Sequence, residues 1–338
     1  MQQVWIPKIG EPDVLELREA PDPELAPGEV RVRVEASGIN FADILARMGL
    51  YPDAPKLPAV VGYEVAGTVD GVGEGVEDFR DGDRVVCMTR FGGYSDVVCA
   101  PQATIRAIPD DLTFEGAASI PVNYLTAWLM LVRLGTVRRG EKVLVHACAG
   151  GVGLAAVQIC NHFGAEVIGT ASAGKHDRLR EMGVASCIDY RTQDFEEEVS
   201  ELTGGRGVDI VLDAVGGESF AKSYRCLDSF GRLFVFGVSS LAPGSKRRIG
   251  AALMGLWRMP KFKPLSLMSF NRGVFGVNLG HLWHRGDEMT AMLGEIVDLF
   301  ADGTFKPVVD RSFPFAEAAA AHQYIQDRKN FGKVVLVP

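Results

Sequence analysis

KVLVHACAGGVGLAAVQIC, Lys142 to Cys160, passes from an apolar run through a cluster of glycines into an alanine-rich segment. Val143, Leu144 and Val145 read as a strand buried on both faces of a parallel sheet. Beyond Gly153 the residues favour a helix, with Leu154, Val157 and Ile159 available to pack back on that sheet. Strand, glycine turn, helix is the order in which a dinucleotide fingerprint has physical meaning. Gly150, Gly151, Val152 and Gly153 are the candidate contacts, because glycines let backbone approach a pyrophosphate and a helix N-terminus offers unpaired N–H groups. The spacing departs from Gly-x-Gly-x-x-Gly: Cys148 stands where the first glycine belongs, and the register reads Ala147-x-x-Gly150-x-x-Gly153. The motif alone leaves open a glycine-rich turn in another α/β protein. No Gly-Lys-Ser/Thr triplet follows, which disfavours a P-loop.

The surrounding 338 residues are enough for two domains. With 47% hydrophobic and 23% charged residues, the composition is that of a globular protein. A net charge of -8 and a pI near 5.4 argue against nucleic acid as a partner, since phosphate binding needs concentrated Lys and Arg. MQQVWIPKIG lacks the features of a secretory signal, and no run reads as the roughly 18 apolar residues of a membrane span. Cysteines 87, 99, 148, 160, 187 and 226 are scattered without a Cys-x-x-Cys pair and read as reduced residues of a cytoplasmic protein.

From Val4 to Ala100 short alternating runs are broken by Gly and Pro. Glu29 to Glu35 alternates as a strand with one wet face, and Glu64 to Val72, Arg84 to Met88 and Tyr94 to Cys99 follow as strands of a barrel-like β domain. Phe41 to Met48 interrupts them as a helix that Gly49 stops. Near Leu112 the pattern changes. Phe114 to Ala118 and Tyr124 to Leu134 read as helices, and Glu166 to Thr170, Cys187 to Tyr190, Val208 to Asp213 and Leu233 to Val238 as strands, with acidic helices such as Phe195 to Leu202 between them. That alternation specifies a doubly wound parallel sheet. Arg272 to Leu279 reads as its last strand, Glu288 to Phe300 and Phe315 to Arg328 as helices, and Lys333 to Val337 as a terminal strand.

GINFADILARMGLY, LPAVVGYEVAG, PVNYLTAW, HACAGGVGLAAVQIC and NFGKVVLVP together resemble the medium-chain dehydrogenase/reductase superfamily over essentially the whole chain. Within it the chain is most similar to the zinc-independent quinone oxidoreductases and their vesicle amine transport protein branch. The resemblance implies a Rossmann domain inserted in a GroES-like β-barrel domain. Residues 1–122 would begin the GroES-like catalytic domain, 123–270 form the NADPH-binding domain, and 271–338 supply the last Rossmann strand and the return.

Zinc-dependent relatives place Cys, Gly-His-Glu and a later Cys where this chain has Asn40, Gly62-Tyr63-Glu64 and, near the third position, Val122. Those residues lack the thiolates and imidazole that zinc prefers, so no metal is expected. At the end of the second Rossmann strand, Thr170, Ala171, Ser172 and Lys175 replace the acid of an NAD enzyme, which suits the 2'-phosphate of NADPH. The resemblance adds Tyr190 to that pocket and implies further cofactor contacts at Asn40, Thr126, Phe236, Gly237, Phe275, Val277, Arg328, Asn330 and Gly332. For the aromatics, core packing is the competing reading.

The resulting expectation is an NADPH-dependent reductase of a small quinone, enone or related conjugated carbonyl. Asn40 would donate to a developing oxyanion, and Tyr51 would be a candidate general acid. A 2-enoyl thioester reductase and a non-catalytic NADPH-binding protein at membranes are the alternatives. Residues 240–272 carry Lys246, Arg247, Arg248, Arg258, Lys261, Lys263 and Arg272 without an acid, so they read as a lid or a membrane-surface contact. A homodimer is expected from the family.

Overall fold

The computed structural model describes residues 1–241, 250 and 259–338. The chain opens with an antiparallel pair, β1 (Gln2–Trp5) and β2 (Glu16–Glu19). The alternating run becomes β3 (Glu29–Gly38), which buries Val30, Val32 and Val34 while Arg31 and Arg33 reach across to Asp70. Helix α1 (Phe41–Arg47) follows, and then β4 (Glu64–Val72), β5 (Arg84–Met88), β6 (Val97–Pro101) and β7 (Ile105–Ala107).

The strand expected from Tyr94 begins only at Val97. Tyr94 N donates to Val61 O at 2.9 Å and Tyr94 O accepts from Val4 N at 2.9 Å, so its backbone holds two other segments instead of joining the ladder. Helices α2 (Phe114–Ala117) and α3 (Pro121–Trp128) come next, and the turns at Leu129–Leu134 widen to π geometry instead of extending the α-helix to Leu134. Contrary to the sequence reading, Phe114–Leu134 is long and apolar enough to pass as a membrane span by length and composition. However, 78% of its apolar window is buried inside the protein, as in a core helix.

Strand and helix then alternate: β8 (Lys142–Val145), α4 (Gly151–Phe163), β9 (Glu166–Ala171), α5 (His176–Glu181), β10 (Ser186–Asp189), α6 (Phe195–Leu202), β11 (Val208–Asp213), α7 (Glu218–Arg225) and β12 (Leu227–Val235). After the undescribed residues come α8 (Pro264–Phe270) and β13 (Gly273–Gly276). The strands pair in parallel in the order β10-β9-β8-β11-β12-β13. The chain changes direction across the sheet between β8 and β11, and the carboxyl ends at such a switch point are where open α/β sheets bind ligands.

The strand expected at Leu233 to Val238 starts earlier and ends earlier. Leu227 already pairs with Val208, a bulge at 228–231 with Phe230 at φ +66° hides the period, and Phe236 N turns to Asp213 O at 3.1 Å. Similarly, β13 stops at Gly276, short of Leu279. Residues 242–249 and 251–258, which include the basic cluster Lys246 to Arg248 and the apolar Leu253, Leu256 and Trp257, lie outside the described residues.

The chain ends with α9 (Gly286–Ala301), β14 (Val309–Pro314), α10 (Ala318–Gln326) and β15 (Lys333–Val337). Strand β14 was not foreseen, and the helix expected from Phe315 begins with a 3-10 turn, Phe315–Glu317. A seven-stranded sheet runs β14-β15-β3-β4-β5-β7, with β6 on β3. Strand β3 is its hub, pairing with β4, with β6 near its start and with β15 at its end. Contacts divide the described residues into two compact units: Met1–Leu125 with Leu279–Pro338, and the described residues of 126–278.

Candidate functional site

In the second unit, the turn after β8 is shaped by its own backbone. A Cβ on Gly153 would lie 2.4 Å from Cys148 O and 2.7 Å from Ala147 O, so no side chain fits there. The first helical bond of α4 runs from Leu154 N to Gly150 O at 2.9 Å. The N–H groups of Gly151, Val152 and Gly153 precede it, which makes the turn a fit for a pyrophosphate.

A buried polar network that the sequence reading missed ties the strand ends together. His146 follows β8, Thr170 lies at the end of β9 and Asp213 ends β11. His146 Nδ1 is 3.1 Å from Thr170 Oγ1, and its Nε2 is 3.0 Å from Ser223 Oγ. Ser219 and Ser223 donate to Asp213 Oδ2 at 2.7 Å each, while Val215 N and Gly216 N donate to Asp213 Oδ1 at 2.7 and 3.3 Å. Burial holds the His146 pKa below its usual value despite nearby Asp213, so the ring is neutral. The network fixes the loop after β11 next to the glycine turn. Its one sequence signal is a polar residue at the end of each apolar strand.

The register pairs Asp189 on β10 with Ala171 on β9, so Ser172 and Tyr190 leave the sheet side by side. Lys175 N returns to Ser172 O at 2.9 Å, which closes a one-turn loop around the same point. A further cation, unremarked in the sequence reading, joins them: the Arg191 guanidinium lies 6.0 Å from the Tyr190 ring centre. The structure thus brings Ser172, Lys175 and Tyr190 together and adds Arg191.

Phe236 and Gly237 come just beyond β12, next to the Asp213 loop. Phe275 stacks on Phe234 with ring centres 5.1 Å apart, a core contact, and Val277 N donates to Val235 O at 3.0 Å. Thr126 is buried on α3.

The first unit holds the remaining expected residues. Asn40, Glu64 and Lys333 form a buried cluster. Lys333 Nζ donates to Asn40 Oδ1 at 2.8 Å and pairs closely with Glu64 Oε1. Asn40 Nδ2 donates to Glu64 Oε1 at 2.9 Å, and Val122 N donates to Glu64 Oε2 at 2.7 Å. The cation held by Glu64 and Asn40 is therefore the ammonium of Lys333. Among the described residues no group of three or more His, Cys, Asp or Glu is placed to hold a metal, and this donor set does not fit zinc.

Asp43, one turn into α1, accepts from Asn40 N at 2.8 Å, Gly62 N at 3.1 Å and Tyr94 Oη at 3.2 Å. It positions both segments that carry the cluster. Burial outweighs those donors and pushes its pKa up to about 7.

Tyr51 is half-buried beside Tyr63, whose pKa is driven up by burial first and then by the Tyr51 hydroxyl. Asn330 Nδ2 donates to Gly332 O at 2.9 Å, and Arg328 adopts φ +57° at the end of α10. Gly332 has φ +100° and passes so near Val308 that a Cβ would lie 2.3 Å from its carbonyl oxygen. It delivers Lys333 to the cluster. The expected cofactor set thus divides between the two units.

Two family descriptions match the chain: Alcohol dehydrogenase GroES-like domain over residues 26–110 and Zinc-binding dehydrogenase over 182–336. The human Synaptic vesicle membrane protein VAT-1 homolog is 41% identical over 96% of this chain and 82% of its own length. The solved Escherichia coli quinone oxidoreductase complexed with NADPH is 32% identical, with a TM-score of 0.87 over 100% of both chains. The CurK enoyl reductase is 30% identical with a TM-score of 0.86, covering 99% of this chain and 98% of the other. With its GroES-like and Rossmann-type units and these relatives, the chain belongs to the medium-chain dehydrogenase/reductase superfamily, in its quinone oxidoreductase-like group with the VAT-1 homologues.

Proposed function

We propose that the protein is an NADPH-dependent, zinc-independent reductase of quinones, enones and related conjugated carbonyls, working in the cytoplasm as a homodimer. Lys333 is the observation that carries the reading. A buried protein ammonium on Glu64 and Asn40 is a poor basis for the metal activation an alcohol needs, whereas hydride delivery to an already electrophilic acceptor needs none.

The reduced nicotinamide, when bound, supplies the hydride. The turn at Gly150 to Gly153 receives the pyrophosphate, and Ser172, Lys175 and Arg191 receive the 2'-phosphate. Asn40, expected to donate to a developing oxyanion, instead spends Nδ2 on Glu64 Oε1 at 2.9 Å and Gly38 O at 3.5 Å and Oδ1 on Lys333, so its part is to hold the cluster in place. The NADPH-bound quinone oxidoreductase relative supports the cofactor, and six free cysteines suit a reducing compartment.

Lys175→Ala and Arg191→Ala are each expected to weaken NADPH binding about 5- to 100-fold and to change NADH little, because a charge-assisted bond to phosphate is lost. Cofactor consumption with a panel of quinones, enones and enoyl thioesters tests the whole reading. Equal use of NADH, or activity abolished by a chelator, sinks it.

Tyr51 favours enoyl reduction as a second reading. Reducing an enoyl thioester needs a proton at the carbon next to the one that takes hydride, and a phenol in that part of the unit can give it. Tyr51→Phe lowering enoyl reduction well beyond quinone reduction is the result that would select this reading.

A further inference from the structure

In the second unit β8, β11 and β12 begin side by side, and a pocket of about 650 Å3 opens at their amino ends. Small-molecule sites run from roughly 300 to 1,000 Å3. The lining comes from residues 136–141 before β8, from 206–209 at the start of β11 and from 228–232 in β12. The glycine turn lies beyond the opposite, carboxyl end of β8. Strands of four to six residues, at about 3.3 Å each, put roughly 13–20 Å between the two places, so the pocket is separate from the dinucleotide turn.

Three arginines and three carboxylates line the pocket, and Phe230 is the one apolar side chain in the lining among the described residues. Most of this charge is already paired. Arg232 Nη1 and Nη2 donate to the two oxygens of Glu141 at 2.9 and 3.0 Å, and Arg206 Nε donates to Asp228 Oδ2 at 2.8 Å. One charge of each sign is left over. Arg138 N donates to Glu141 Oε2 at 2.9 Å, but no ion pair or hydrogen bond engages its guanidinium among the described residues. Asp209 Oδ2 accepts from Lys142 N at 2.8 Å, and no cation pairs with the carboxylate among those residues. Arg138 and Asp209 therefore stand as separate poles in one lining. Two of the five non-glycine residues at positive φ among the described residues, Thr136 at +47° and Phe230 at +66°, also belong to it, so the walls hold a shape that relaxed loops would not keep.

We propose that this pocket is a second ligand site, taking a zwitterion of dipeptide size whose carboxylate meets Arg138 and whose ammonium meets Asp209. A simple anion is drawn to Arg138 but repelled by Asp209, and a simple cation meets the reverse. An apolar molecule strips water from both charges in return for one phenyl ring. A molecule with one charge of each sign answers both poles, and the volume favours two linked residues over one. No His, Cys or Lys stands in the lining, so the site binds its ligand without transforming it. None of this depends on the reductase reading.

The test is calorimetric titration of the full chain with glycyl-L-serine and with its N-acetyl and C-terminal amide forms, each of which lacks one of the two charges. The parent protein is expected to bind the free dipeptide about 3- to 30-fold more tightly than either blocked form, the loss of one charge-assisted contact at a partly exposed position. Arg138→Gln should remove the preference over the amide, and Asp209→Asn the preference over the acetylated form, each leaving the other preference in place. Saturating NADPH should leave the affinity unchanged. Equal affinity for the three compounds, no binding of the free dipeptide, or preferences that survive both substitutions would overturn the proposal. Displacement by NADPH would move the dipeptide to the cofactor turn and overturn it as well. Asparagine keeps an oxygen for Lys142 N, and thermal unfolding checks that variant; Arg138 is exposed, so Arg138→Gln decides alone if Asp209→Asn fails to fold.

Discussion

Removing the Lys333 ammonium would leave the Glu64 carboxylate, fully buried, without a counter-charge. Lys333→Met is therefore expected to cost about 3–5 kcal/mol, read as a lower urea midpoint, whereas adding Glu64→Gln should restore much of it because no buried charge remains. A double variant as unstable as the single one would refute this account of the cluster.

Asp43 and His322, both in contact with the Tyr94 hydroxyl, set a second residue-scale expectation. Burial raises the folded pKa of Asp43 from 3.8 to about 7, so its contribution is fully present below about pH 4 and is lost as pH rises through 7. Burial, aided by Arg47, lowers the pKa of His322 well below 6.5, so its contribution is present above 6.5 and is lost as pH falls. The two slopes oppose each other between pH 4 and 7. Asp43→Asn removes the first, and stability of the variant should climb with pH across this window more steeply than that of the parent. Parallel urea midpoints over pH 4 to 7 would show that Asp43 does not titrate there.

Among the elements, α9 offers a clean gain. Gly294 lies inside that helix, and a Cβ there would meet nothing nearer than Arg106 Nε at 3.7 Å. Gly294→Ala should stabilise by roughly 0.5–1 kcal/mol through helix propensity, seen as a higher thermal midpoint. Element boundaries were legible where one signal ran undisturbed. Helix Phe195–Leu202 and strands Glu64–Val72, Val208–Asp213 and Lys333–Val337 were readable to the residue, because alternation or an apolar run ended at Gly, Asp or Pro.

Strand β12 was not readable, because its bulge at 228–231 breaks the period, and β14 alternates weakly, with exposed Arg311 and Ser312 beside buried Phe313. In the site, the glycine turn and Ser172 with Lys175 were legible because each depends on local spacing at a strand end, whereas Tyr190 came from the resemblance alone and its place beside Ser172 follows from strand register. The His146–Asp213 network and Lys333 were not. A polar residue at a strand end looks the same whether it meets water or a partner 77 positions away, as His146 meets Ser223.

For the whole molecule, the proposed homodimer can be tested on one face. Among the described residues strand β13 is a sheet edge, and α8 before it exposes Leu265, Met268 and Phe270. Phe230, 80% exposed, adjoins them through its N–H to Asn271 O at 2.8 Å. An open edge beside exposed apolar side chains suits a second copy of the chain. Met268→Asp is therefore expected to convert a dimer to a monomer in sedimentation, and an unchanged dimer would place the interface elsewhere. Flotation of the parent protein with anionic vesicles, lost in the same variant, would instead assign this face to a membrane.

The cluster around Lys333 also has a bearing on synthesis. Its partner Asn40 lies 293 positions earlier, and the end of β3, paired on one side with β4, takes β15 on the other. At roughly 5–20 residues per second, a ribosome needs on the order of 15–60 s to span that gap. Throughout that interval the hub strand has one margin open and Glu64 lacks its cation, while the central stretch emerges as one continuous piece. The first segment translated therefore completes its structure last.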